Sequence, residues 1–284
     1  MNHPKGPPLE QLLQEARWKG VDDFGYSAIW NDEHSKWLRV AERHGQLKSY
    51  LTRLKKCNEK ERQETFAELA AAYVLEEIIG LPIARWAPNG GRGEFLIDLG
   101  TKQAFCEVKS PGWEAEIATQ AGGKPPQDRL RQPKHISGQA FGFSTHDIIQ
   151  KVMKKTREKF PNGLLGLLIF ADDFRVSLID DPLDVCLALY RMPLPPPNVD
   201  PLQPGYFLDS ESSWLTGAVF LDYRLLLASN AIEYRFRCCP NDNAQHVGMV
   251  KKSFGCWIEQ DFPETASWGR GSLPSHPLLP GSKA

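Results

Sequence analysis

The sequence predicts an α/β fold, and three observations along the chain support it. Residues 61–79 are rich in Ala, Leu and Glu and are followed by Gly80, a pattern typical of a helix and its end. Residues 95–99 and 104–108 are short apolar runs joined by a short loop, so they predict an antiparallel hairpin. Residues 164–170 are apolar throughout, as expected of a central buried strand.

The rest of the chain also predicts a mixture of helices and strands. The N-terminal region has apolar residues on one helical face. Further along, we predict strands at 83–86, 217–223 and 232–238 and helices at 146–160 and 181–191. Residues 110–144 are rich in Gly and Pro and almost without periodicity, which predicts a long loop that is either functional or mobile.

Composition indicates an ordinary globular chain. Among 284 residues, 34 are Lys or Arg and 35 are Asp or Glu, and 41% are hydrophobic. These values exclude collagen-like and wholly disordered classes. The longest apolar run, 164–171, is far shorter than a membrane span, and the N-terminus lacks the apolar core of a signal peptide. We therefore expect a soluble, cytoplasmic protein without membrane contact.

The six cysteines include no C-x-x-C pair, and we expect them to be reduced. A zinc site built from Cys239, His246 and Cys256 is the weaker alternative, because it lacks the close ligand pairs of structural zinc sites.

We expect three parts along the chain. An N-terminal helical extension covers residues 1–60, an α/β domain covers 61–260, and a flexible, Pro-, Gly- and Ser-rich tail covers 261–284. Within the α/β domain, residues 61–172 form the core and residues 173–260 a C-terminal elaboration.

Three charged residues on the predicted hairpin indicate chemistry. Glu107 and Lys109 are two apart on one strand, so their side chains lie on the same face. Asp98 lies on the partner strand, near its end. Two carboxylates brought together would suit the oxygen-rich shell of Mg²⁺, and the ammonium could orient water or stabilise charge. The alternative is an ordinary cross-strand pair at the surface.

A fourth acid lies on the preceding helix. Glu68 shares a helical face with Ala72, Leu75 and Ile79. A carboxylate on an apolar face is costly unless it meets a cation or a metal. Alternatively, Glu68 lies at the rim of a half-exposed face, or Glu64 takes its role.

These residues, in this order, resemble the PD-(D/E)XK, or restriction-endonuclease-like, nuclease superfamily. The matching text is Phe-Ala-Glu-Leu-Ala-Ala-Ala at 66–72, Gly-Gly at 90–91 ahead of Ile97-Asp98, and Phe-Cys-Glu-Val-Lys-Ser at 105–110. The later helix and the apolar strand complete a resemblance that covers residues 61–172. Ile97 stands where the family motif has Pro.

The resemblance implies a central mixed sheet flanked by helices and Mg²⁺-dependent hydrolysis of phosphodiester bonds, with Mn²⁺ able to replace Mg²⁺. It implies that Asp98 and Glu107 bind the metal and that Lys109 orients water or stabilises charge. Glu68 would be an auxiliary acid. The catalytic residues on this reading are Glu68, Asp98, Glu107 and Lys109.

Charge is unevenly distributed although the whole chain is nearly neutral. Local excesses of +5, +3 and +4 fall on residues 34–64, 120–135 and 151–159, and residues 172–184 carry −4. We expect the basic segments to bind a nucleic-acid backbone, DNA first, and the acidic stretch to lie away from it. The proposed contacts in the second and third basic segments are Lys124, Arg129, Arg131, Lys151, Lys154 and Lys155.

Two other functions stay open at this point. One is a catalytically silent nuclease-fold protein that binds nucleic acid or a protein partner. The other is an α/β interaction domain with a chance motif. A homodimer is compatible with each of these readings.

Overall fold

A computed structural model describes most of the predicted core. The described residues are 27–56, 59–86, 94–110, 145–173, 189–190, 205–226 and 231–255. Within these ranges, no helix has the length and apolar character needed to cross a membrane.

Among the described residues, three helices precede the sheet. They are α1 (Ser27–Arg43), α2 (Leu47–Lys56) and α3 (Glu59–Tyr73), and α3 continues as a π-helical turn over Val74–Ile79. Gly80 ends this turn at φ 81°, a left-handed conformation that suits glycine. The predicted helix at 61–79 is therefore confirmed, with a wider last turn.

Within the part of the chain that the structure describes, the sheet has six strands in chain order, and the helices α4 (Thr145–Thr156) and α5 (Val247–Phe254) accompany it. The strands are β1 (Ile83–Trp86), β2 (Phe95–Asp98), β3 (Gln103–Lys109), β4 (Leu165–Asp173), β5 (Gly217–Leu226) and β6 (Ala231–Pro240). Helix α4 runs into a 3₁₀ turn at Arg157–Lys159, and α5 follows β6.

Strand directions make the sheet mixed. The β1–β2, β2–β3 and β5–β6 pairs are antiparallel, and the β3–β4 and β4–β5 pairs are parallel. The connection from β3 to the parallel strand β4 includes α4, as a parallel crossover requires. The predicted α/β class and the predicted strands are confirmed.

Each face of the sheet buries its own apolar cluster. Cys106, Ile169 and Val219 face α1, α2 and α3. Leu168 and Phe220 lie on the other face, where they share a cluster with apolar residues of α4. Because side chains alternate along a strand, neighbouring residues of β3 and β4 are buried on opposite faces. Glu107 is on the α4 face, since it is paired with Leu168.

The described part of the N-terminal extension is helical and shares the first of these clusters. Trp37 of α1 is fully buried, and its Nε1 donates to the hydroxyl of Tyr234 on β6 at 2.5 Å. That hydroxyl donates to Glu33 of α1. Helix α1 is therefore joined to the far edge of the sheet by burial and hydrogen bonds.

Several predictions fall on residues outside the described ranges. They include the loop after β3 beyond residue 110, most of the predicted helix at 181–191 and the tail. Cys106, Cys238 and Cys239 are buried, and none of these three is in a disulfide. His246 contacts Lys102 at 2.8 Å, and Cys256 lies outside the described residues.

Candidate active site

The pairing of β2 with β3 determines which acid meets Glu107. Phe95 pairs with Cys106. The next pair of positions away from the hairpin turn is therefore Glu94 opposite Glu107. Two backbone contacts hold Glu94 there: its N–H donates to the Cys106 carbonyl at 3.1 Å, and its Oε2 accepts the Val108 N–H at 2.9 Å. Glu94 is therefore the cross-strand neighbour of Glu107.

Asp98 lies at the opposite end of the strand pair. It is paired with Gln103, four residues from the Glu94–Glu107 position, which is about 13–14 Å along a strand. Its Oδ1 accepts the Gly100 N–H at 2.8 Å and so stabilises the turn. The prediction that Asp98 and Glu107 share one ion is wrong, because an antiparallel register takes Asp98 towards the turn as it brings Glu94 to Glu107.

Glu107 is the buried centre of the site. It is 0% exposed, although its strand neighbour Lys109 is partly open to solvent. Its Oε1 accepts from Lys109 Nζ at 2.6 Å, which confirms the predicted closeness of these two residues, and it also accepts from Lys159 Nζ. Its Oε2 is buried and has no nitrogen donor among the described residues.

The two facing carboxyl groups hold protons differently. Burial raises the pKa of Glu94 well above its ordinary value, and the charges of Glu107 and Glu68 raise it further. Burial also opposes the ionisation of Glu107. The pKa of Glu107 is nevertheless lowered, because the charge of Lys109 and the hydrogen bonds from Lys109, Glu94 and Lys159 outweigh the effect of burial. Like-charged carboxylates this close favour a shared proton or a bound cation.

Glu68 is held in a network of its own. Arg53 of α2 donates to both Glu68 oxygens, at 2.5 and 2.8 Å, and the hydroxyl of Tyr50 donates to Oε2 at 2.7 Å. Trp86 Nε1 donates to the same hydroxyl at 2.9 Å. Glu68 therefore meets a cation, as its place on an apolar face requires. Its charge acts on Glu94, so this network borders the site.

The residues present suit a hydrated divalent cation. No group of three or more His, Cys, Asp or Glu side chains within the described ranges could hold a metal ion. Glu94 and Glu107 form a pair, and Glu107 Oε2 is a buried acceptor that lacks a nitrogen donor among the described residues. Mg²⁺ typically binds one or two carboxylates and keeps several waters, with substrate phosphate completing its shell. The pair fits such an ion and does not fit an all-protein metal cage.

The proposed nucleic-acid contacts divide into two groups. Lys151, Lys154 and Lys155 are exposed on α4, which leads directly to Lys159 in the site. The other predicted contacts, Lys124, Arg129 and Arg131, lie outside the described residues, and so does most of the acidic stretch that begins at the end of β4.

Sequence reasoning missed three residues of the site: Glu94, Lys159 and Arg53. Glu94 could have been found from the sequence. It precedes Asp98 by four residues, an even spacing on a strand, and counting the residue pairs of the hairpin away from the turn places it opposite Glu107. Lys159 and Arg53 had no sequence signal beyond their charge. Their partners, Glu107 and Glu68, are 52 and 15 residues away in the chain.

Comparisons with known proteins give no independent assignment. No family model, no curated protein and no solved structure matches the chain. The geometry of the site is therefore the basis for its function.

Proposed function

We propose that this protein is a Mg²⁺-dependent nuclease that hydrolyses phosphodiester bonds, with DNA as its first-choice substrate. The observation that carries the proposal is the pair of facing carboxyl groups of Glu94, which directly precedes β2, and Glu107 on β3. Glu107 has one oxygen bound by lysines, and its other oxygen is buried beside Glu94 without a nitrogen donor among the described residues. Such a pair is costly unless a proton or a cation lies between its members.

The order of the elements supports the same proposal. Helix α3, three antiparallel strands, helix α4 and a strand parallel to β3 follow one another. This is the arrangement that the resemblance to restriction-endonuclease-like nucleases leads us to expect. We propose that residues 61–172 form such a core, with Glu94 in the role first given to Asp98.

The chain's own residues divide the chemistry between them. Glu94 and Glu107 would hold a divalent cation, which when bound acidifies water and neutralises phosphate charge. Lys109 would orient the attacking water and stabilise negative charge on the phosphate. The water oxygen bonds to phosphorus, the ester bond to the leaving oxygen breaks, and that oxygen takes up a proton. One water is consumed for each bond cleaved.

One observation favours a second candidate, a nuclease-fold protein that binds nucleic acid without cutting it. Two acids of the site, Glu107 and Glu68, already have cationic partners within the chain, because Lys109 and Lys159 bind Glu107 and Arg53 binds Glu68. A site that is neutralised internally needs no metal for its stability.

Cleavage assays separate the two candidates. Plasmid, linear duplex and single-stranded DNA, and a matching RNA, would be incubated with the protein in Mg²⁺, in Mn²⁺ and in EDTA. We expect metal-dependent cleavage that Lys109→Ala abolishes and that Lys252→Ala, an exposed control on α5, leaves unchanged. Binding of DNA without cleavage in either metal would favour the silent protein.

A further inference from the structure

Lys159 reaches the site from outside the hairpin and is held there by packing. The residue after it, Phe160, contacts Phe105 of β3 and Trp214 edge-to-face, with ring centroids 5.2 and 4.9 Å apart. Gly166 of β4 makes room for this ring, since a Cβ there would lie 2.8 Å from Phe160. The turn that carries Lys159 is therefore fixed against the sheet.

Lys159 and Lys109 bind the same carboxylate oxygen. Glu107 carries one negative charge, and its Oε1 accepts from both ammonium groups. Glu94 lies beside them, with its Oε2 accepting the Val108 N–H, and its charge also acts on Lys159. Two like charges on one oxygen repel each other, and a second anion between them would remove that repulsion.

The two ammonium groups are also the accessible part of the site. The side chain of Lys109 is 28% exposed and that of Lys159 is 45% exposed, above a Glu107 side chain that is 0% exposed. Each ammonium has three N–H donors, of which Glu107 takes one. A ligand that arrives from solvent would meet the lysines first. The ligand that matches two adjacent cationic donors is an anion with several acceptor oxygens, such as a phosphate group.

We propose that Lys159 is a phosphate-binding residue of this site and that, together with Lys109, it donates to the non-bridging oxygens of a substrate phosphodiester. This inference rests on the proposed function and extends it by naming a substrate contact outside the recognised motif. Helix α4, which leads into the turn of Lys159, supports this inference. Its exposed Lys154 and Lys155 would bind neighbouring phosphates of the same nucleic-acid strand.

Equilibrium binding tests the proposal without using catalysis. Binding of a fluorescent 20-base-pair duplex to the full chain would be measured by anisotropy in EDTA at several salt concentrations. Lys159→Met should weaken binding by about tenfold and reduce the salt slope by about 1, because one charge-assisted phosphate contact is lost. Lys159→Arg should restore binding to within about threefold of wild type, and Lys252→Met, the matched surface control, should stay within about twofold.

Inorganic phosphate provides the second arm and separates a general phosphate site from a nucleic-acid site. Phosphate should compete with the duplex for the wild-type protein and compete less well for Lys159→Met. Circular dichroism would verify folding, which we expect to persist because Lys109 still binds Glu107. Lys159→Gln is the substitute if the Met variant does not fold.

Two results would overturn the inference: equal affinity and salt slope for Lys159→Met and wild type, or an equal loss in Lys252→Met. A wild-type chain that binds no duplex would overturn it as well. The nuclease proposal fails separately, if the wild type cleaves no DNA in Mg²⁺ or Mn²⁺ while Lys159→Met still weakens binding.

Discussion

The two ends of the β2–β3 strand pair carry similar residues in different surroundings. At one end Glu94 faces Glu107, which is fully buried and bound by two lysines. At the other end Asp98 pairs with Gln103, and its carboxylate accepts a backbone N–H of the turn. By strand alternation, Asp98, Gln103 and Glu107 share one face of the sheet. Position along the pair, and not residue type, decides which acid could take part in chemistry.

The neighbouring strand explains the difference. Glu107 is flanked by Leu168 of β4, so protein surrounds its carboxylate on several sides. Asp98 is partly exposed beside the turn. Charges interact more strongly where water is excluded, and a carboxylate in water is already well solvated. The comparison therefore predicts large effects of substitution at the Glu94–Glu107 end and small ones at the Asp98 end.

Substitution at the buried centre should have the largest effect. Glu107→Gln removes the negative charge that both lysines and the proposed cation require. We expect DNA cleavage in Mg²⁺ to fall by at least about a hundredfold, since a bound metal contributes several kcal/mol to such a reaction. The free energy of unfolding should also fall, by about 1–3 kcal/mol, because a charged hydrogen-bond acceptor is lost. Unchanged cleavage rates would contradict the assignment.

Substitution of Glu94, the carboxyl group that faces Glu107, should affect cleavage and stability in opposite directions. Glu94→Gln should reduce cleavage about as strongly as Glu107→Gln, yet make the fold more stable. Burial raises the pKa of Glu94 in the folded protein. At a pH above the ordinary carboxyl pKa, the unfolded chain carries Glu94 ionised, so folding must either add a proton to it or bury its charge, and both cost free energy. We expect the Gln variant to gain about 1 kcal/mol over wild type at pH 8 in urea unfolding, and to lose this advantage near pH 4. A variant less stable than wild type at pH 8 would show that Glu94 is ionised and paired in the fold.

Metal dependence should vary with pH for the same reason. A cation that binds Glu94 must displace its proton, whereas Glu107, whose pKa is lowered, is already ionised. The Mg²⁺ concentration that gives half-maximal cleavage should fall by up to about tenfold per pH unit until Glu94 is ionised, and then level off. A half-maximal concentration that is constant between pH 5 and 9 would exclude a proton on the ligand.

The smallest effect belongs to the turn end. Asp98→Asn keeps an acceptor for the Gly100 N–H, so cleavage should stay within about twofold of wild type and stability within about 0.5 kcal/mol. The measurements are the same cleavage and urea assays used for the two glutamates. A hundredfold loss of cleavage in Asp98→Asn would show that Asp98 takes part in the reaction.

The fold was largely predictable because its signals are local. Gly80, the short turn between β2 and β3 and the apolar run of β4 each define an element by its own residues. The closeness of Lys109 to Glu107 is equally local, since it follows from strand parity. The partner acid depends on register, and the count back from the turn leads to Glu94. Lys159 could not be predicted, because its contact depends on how α4 packs against the sheet.

Metal binding by the two ends of the strand pair is the most direct test of the account. Mn²⁺ binding would be titrated calorimetrically with wild type, Glu94→Gln and Asp98→Asn at pH 8, without substrate. If Glu94 and Glu107 form the cation site, Glu94→Gln should lose at least about tenfold in affinity and Asp98→Asn should bind like wild type. Loss of binding in Asp98→Asn together with wild-type binding in Glu94→Gln would contradict the account.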